Sequence, residues 1–84
     1  MFEQQVVEFR PERVLPPAGT KARALLTALS AGQRHTVASA LTMLGIYALS
    51  QECGRLRARG WPVLSEWIKT EGGAHVKRFY LGKP

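Results

Sequence analysis

The chain predicts an α+β domain in which three short helices precede a two-stranded hairpin. Two observations carry this: apolar residues recur at helical spacing up to residue 60, and from Pro62 the period falls to two. A third, the pair Gly72-Gly73 between the two alternating runs, marks where the hairpin turns.

The first helix follows Thr20, a residue suited to an N-cap, and places Ala22, Leu25, Leu26 and Leu29 at i, i+3, i+4 and i+7. It should stop near Ala31-Gly32, after which Gln33, Arg34 and His35 lead onward, with an extended residue or two free to pair with the later sheet. The second helix takes Thr36 as its cap and Val37, Ala40, Leu41 and Leu44 as its apolar stripe. Gly45 ends it, since glycine accepts positive φ without a Cβ clash. The third helix, about residues 47–59, sets Ile46, Leu49, Cys53 and Leu56 on one face. Tyr47, Ala48, Gln51, Arg55 and Ala58 fall on the other. Gly60 and Pro62 then form the expected stop. PVLSEWIK and HVKRFYL alternate as strands. Val63 and Trp67 are the first choice for the inward face.

Ahead of all this, residues 1–18 read as an arm and a linker. FEQQVVEFR is an edge strand or a tail that orders on contact, and PERVLPPAG holds three prolines and a glycine in nine residues, which blocks a helix. Residues 19–84 are the domain.

With 84 residues the chain supports one small core. Twelve Lys and Arg oppose six Asp and Glu, a net +6, and the charge is uneven. Glu3, Glu8 and Glu12 against Arg10 and Arg13 make residues 1–20 net −1, so the remaining 64 carry +7. A basic domain favours an anionic partner. One cysteine cannot form an internal disulfide, and Cys53 with His35 and His75 shows no ligand pair at zinc spacing, so neither metal nor cofactor is expected. Six carboxylates and two histidines, scattered and without a nucleophile motif, give no enzyme reading. The start lacks an export signal and no run of about 18 apolar residues occurs, so a cytoplasmic protein without a membrane span is expected.

The far face of the third helix is polar, basic and short of bulk in its middle, a surface that a DNA major groove accepts. Arg55 can donate twice to guanine and Gln51 can donate to and accept from adenine. Tyr47 would reach a thymine methyl or a phosphate, or else brace the turn. Arg34 and Thr36 suit a phosphate at the start of the short helix, where Thr36 is equally a plain cap. Arg59 serves a phosphate or the helix C-terminus. Arg57, nearer the buried flank, is a snorkelling side chain or a phosphate clamp. His75 sits at the hairpin tip, and Lys77 and Arg78 point to opposite faces of one strand, so one of them follows the DNA backbone. Trp61 and Trp67 read as core or interface rather than stacking platforms, which normally lie on an exposed basic strand face.

Over residues 20–81 the chain resembles the small winged helix-turn-helix domains of phages and prophages. The resemblance rests on LRARGWPV at the join of helix and hairpin, on Ser65, Trp67 and the KRFYL ending, and on the spacing of Leu26, Leu29 and Gly32 ahead of Thr36. It implies a three-helix helix-turn-helix with a C-terminal hairpin wing, in a transcriptional regulator or excision cofactor that binds double-stranded DNA. Two departures stand out. Glu52 occupies a position often basic in that family, which argues against a phosphate contact there, and eight residues separate Gly45 from Cys53, longer than the repressor-type interval. A domain this small needs dimerisation or repeated sites for useful affinity, and residues 1–18 are the candidate homodimer contact. The alternative is a winged-helix module that binds a host or phage protein with little DNA contact.

Overall fold

A computed structural model describes residues 13–82, so the reading of FEQQVVEFR as strand or tail lies outside the described residues. The element order is α1 (Lys21–Ser30), α2 (Val37–Leu44), α3 (Leu49–Ala58), β1 (Val63–Lys69) and β2 (His75–Leu81). This is the winged-helix arrangement, three helices followed by an antiparallel hairpin.

Local chemistry accounts for each boundary. Thr20 Oγ1 accepts from the Arg23 amide at 3.2 Å and starts α1. At α2 the cap is reciprocal: Thr36 Oγ1 accepts from the Ser39 amide at 3.2 Å, and Ser39 Oγ accepts from the Thr36 amide at 3.0 Å. Gly45, at φ 69°, turns left-handed, which lets the Ile46 amide reach back to the Ala40 carbonyl at 3.1 Å. At the end of α3, Gly60 takes φ 94° and the Gly60 and Trp61 amides donate to the Arg57 and Leu56 carbonyls, both at 3.0 Å, the paired bonds of a Schellman motif.

A single core joins these elements. Ala22, Leu25, Leu26 and Leu29 of α1 meet Ile46, Leu49, Cys53 and Leu56 around α3, with Ala40, Val63 and Phe79 closing the cluster. Full burial of a side chain such as Leu25, Ile46, Leu49 or Leu56 contributes roughly 2 kcal/mol. The two helix stripes expected for α1 and α3 are therefore the core.

The hairpin pairs Val63 with Leu81 and Lys69 with His75 at its two ends. A third extended residue joins it: the His35 amide donates to the Phe79 carbonyl at 2.9 Å, and the Phe79 amide to the His35 carbonyl at 2.7 Å. The link ahead of α2 thus pairs with the sheet, as its composition allowed. His35 is itself buried. Its Nε2 lies 2.7 Å from Gln33 Oε1 and its Nδ1 2.9 Å from Ser39 Oγ, which satisfies the ring.

Three expectations need correction. The α2 stripe is mostly outside: Ala40 alone of that helix is buried, while Val37 and Leu41 are exposed and Leu44 half-buried. Eight residues packed at one edge of α1 and α3 present only a narrow line to them. The third helix begins at Leu49 with Ala48 as its cap, so Tyr47 stands in the turn ahead of it rather than opening it. Trp67 shares a face with Val63, yet Val63 is buried and Trp67 is 66% exposed, because on that face only the base of the hairpin, at Val63 and Phe79, is covered.

The proline-rich stretch, from Arg13 on, lies against the helices. The Val14 amide donates to the Arg59 carbonyl and Trp61 Nε1 to the Val14 carbonyl, both at 2.9 Å. Arg23 Nη1 donates to the Pro16 carbonyl at 2.9 Å, and Pro16 is buried. Extended backbone without a helix of its own finds its partners on the body of the fold.

Candidate nucleic-acid interface

The third helix has one face in the core and one in solvent. With Leu49, Cys53 and Leu56 buried, Gln51, Gly54, Arg55 and Ala58 are exposed around the opposite side. A Cβ at Gly54 would meet nothing within 4 Å, so packing does not demand glycine there, and its effect is to keep that face flat. Gln51 and Arg55 stand one turn apart on this face, and Tyr47, 83% exposed, stands just before it.

Glu52 proves to be part of the support for Arg55. It is buried, and its Oε2 accepts from Arg55 Nη1 at 3.0 Å. The bond holds a mostly exposed guanidinium at a fixed place on the helix surface and neutralises the carboxylate that would otherwise repel a phosphate. Glu52 Oε1 is buried without a hydrogen-bond partner, which costs stability at this position. The sequence places Glu52 on the flank, three residues before Arg55, and the i,i+3 bond within the helix makes it a brace.

Cys53, fully buried, has its thiol pushed up from 9.0 to about 11, first by burial, with Arg57 opposing and Glu52 adding to the shift. It is a core residue. Arg57 is structural too: its Nε donates to the Val63 carbonyl at 2.8 Å and fastens the end of α3 to the start of β1. Arg59, half-buried after α3, offers its carbonyl to Val14.

On the wing, register separates two faces. Leu64, Glu66 and Ile68 lie with Tyr80, Arg78 and Val76 on one; Val63, Ser65, Trp67 and Lys69 lie with Leu81, Phe79, Lys77 and His75 on the other. Glu66 Oε2 takes Arg78 Nη2 at 2.7 Å and Arg34 Nη1 at 3.0 Å, and Arg34 stacks over Tyr80 at 4.3 Å from the ring centroid. The Arg78 hydrogen bond holds the Glu66 carboxyl below the usual carboxylate range, against a smaller desolvation effect and with help from Arg34. Arg34 and Arg78 are thus committed to a wing-bracing cluster. Lys77 sits on the other face, its Nζ 5.5 Å from the Trp67 ring centroid, and His75 is exposed beside it.

The structure therefore sorts the eight sequence candidates. Gln51 and Arg55 share one open face with Tyr47 at its edge; His75 and Lys77 share the wing tip; Thr36 caps α2, Arg34 holds Glu66, and Arg59 joins the proline-rich stretch through its backbone carbonyl, a bond that does not engage its guanidinium. Sequence reasoning missed Trp67 as an exposed residue and Lys69 as its neighbour. The alternation that put them on one face was visible; the reach of the helices was not.

Two grooves flank these features. One, of about 560 Å³, runs between Pro16, Thr20, Lys21, Glu52, Arg55 and Arg59. The other, of about 670 Å³, is largely apolar and lies between Val37 and Ala38 of α2 and Ile68 and Val76 of the wing. Among the described residues no group of three or more His, Cys, Asp or Glu is placed to hold a metal ion, and no helix is long and apolar enough to cross a membrane. In comparisons with known proteins, no family model, curated protein or solved structure matches the chain.

Proposed function

We propose that this chain is a cytoplasmic, non-enzymatic protein that binds double-stranded DNA, as a regulator or architectural factor of a phage or prophage. In this reading α3 enters a major groove and the wing runs along the adjacent backbone. One observation carries it: the outward face of α3 is open, flat at Gly54 and Ala58, and presents Gln51 and a braced Arg55 one turn apart. Those groups match adenine and guanine edges, and a good bidentate contact contributes about 1–3 kcal/mol of discrimination. Lys77 and His75 are the wing's candidates for phosphate, since Arg34 and Arg78 already hold Glu66.

The phage assignment rests on the resemblance of residues 20–81 alone. With one helix for one groove, affinity comes from a homodimer or from repeated sites.

A second reading is a protein-interaction module on the same frame. It is favoured by the groove beside Val37, Ala38, Ile68 and Val76, whose lining is largely apolar although Thr36, Thr70 and Lys77 border it. Salt separates the two. Each phosphate contact adds about 0.9 to the slope of log affinity against log salt, whereas an apolar interface responds weakly. Fluorescence anisotropy with random duplex DNA at two salt concentrations should show steep salt dependence for the intact chain and weaker binding for the double variant Gln51→Ala, Arg55→Ala. A folded protein that binds no duplex even at low salt sinks the DNA reading and turns the search to protein partners.

A further inference from the structure

We infer that the tip of the wing carries a second nucleic-acid surface, a stacking platform for an unpaired base, with Trp67 as the platform, Lys77 and Lys69 as its cationic flank and His75 as a further polar neighbour. The inference uses no residue of α3; it shares only Lys77 and His75 with the duplex reading, and Trp67, on which the test turns, belongs to the platform alone.

Three features converge on it. Trp67 is 66% exposed on the hairpin face whose base, at Val63 and Phe79, is core. Its cross-strand partner is Lys77, with Nζ 5.5 Å from the ring centroid, and the next pair on the same face is Lys69 with His75. The one carboxylate of the two strands, Glu66, lies on the opposite face, where Arg34 and Arg78 hold it. A lone exposed aromatic would need no explanation. An exposed indole in the middle of a cationic patch on one strand face has the chemistry of single-strand binding: any base has a π-face to lay on the ring, and the phosphates on either side of that base pass the ammonium groups. Lys77 is already placed over the ring, so one residue prepares both contacts.

A paired base offers this ring no face without unstacking its neighbours, so the partner is a single strand. Tyr80 does not compete for the role: it is half-buried and shares its face with the Glu66 carboxylate.

The test uses the full chain and a labelled oligothymidylate of about 12 nucleotides, a length within the usual single-strand site sizes. A mixed-sequence duplex is titrated in parallel. Trp67→Leu should weaken oligothymidylate binding by about 5- to 100-fold, the effect of losing one stacked base, and Trp67→Phe should restore part of it. Duplex binding should stay within about two-fold of the intact chain. In a Trp61→Phe background, where Trp67 is the sole indole, the oligonucleotide should quench its emission. Oligouridylate in place of oligothymidylate shows whether RNA also serves; binding of either strand that depends on Trp67 supports the platform. Equal affinity of the intact chain and Trp67→Leu for single strands, or no binding of single strands at all, overturns it. So does an equal loss on the duplex, which would make Trp67 a groove contact. Thermal melts of each variant confirm folding, which an exposed side chain should not disturb. Loss of duplex binding with the platform intact would count only against the α3 reading.

Discussion

Raising the pH above about 9 should weaken this protein through Cys53. Burial lifts the Cys53 thiol from its ordinary 9.0 to about 11 in the folded chain. The folded state therefore holds a proton that the unfolded state releases between those values. Stability supplied by this group is complete below pH 9 and is lost as pH rises toward 11. Midway, at pH 10, the unfolded thiol is largely ionised and the folded one largely protonated, which removes on the order of 1 kcal/mol of stability. Cys53→Ala has no such group. It should be less stable than the parent at pH 8, through the small cavity it leaves, yet should lose on the order of 1 kcal/mol less between pH 8 and pH 10. Urea titrations of both chains at the two pH values measure this directly, and other groups that titrate in that range cancel in the difference. Parallel losses in the two chains would refute the placement of Cys53 in the core. Because Cys53 anchors α3 to α1, that outcome would also undo the exposed face assigned to Gln51 and Arg55.

Two stability tests address the joints that position the candidate surfaces. Gly45→Ala should lower stability by about 1–2 kcal/mol, since the residue sits at φ +69°. The added Cβ meets only the movable Lys21 Nζ, at 3.2 Å, so the cost is in the backbone, and calorimetry should show a lower melting temperature; an unchanged value would mean that the turn before α3 is not left-handed. Phe79→Ala removes a buried ring that joins the wing to the helices and should cost about 3–5 kcal/mol, a large share of the roughly 4–10 kcal/mol expected for a domain of this size. A urea midpoint that barely moves would show that the wing folds independently of the helices.

Each helix was legible because its signals are local. Thr20 and Thr36 cap the turns that follow them, Gly45 and Gly60 adopt the left-handed geometry their positions called for, and the stripes of α1 and α3 repeat within a few residues of chain. The strands and their turn were equally plain from alternation and Gly72-Gly73, and register then follows, since a slip of one residue would expose Val63 and Phe79. Period and capping chemistry thus determine the elements, their order and which residues share a face. They say nothing about how far one element extends past another. Only the tertiary packing decided that cover on the Val63 face ends at the base of the hairpin, leaving Trp67 in solvent while Val63 two turns of the pleat away is core. It decided likewise that Ala40 is the one fully buried residue of α2 and that Arg34, 32 residues from Glu66 along the chain, braces the wing. These are contacts between distant segments, set by the lengths and angles of packed elements, and no local pattern of residues encodes them.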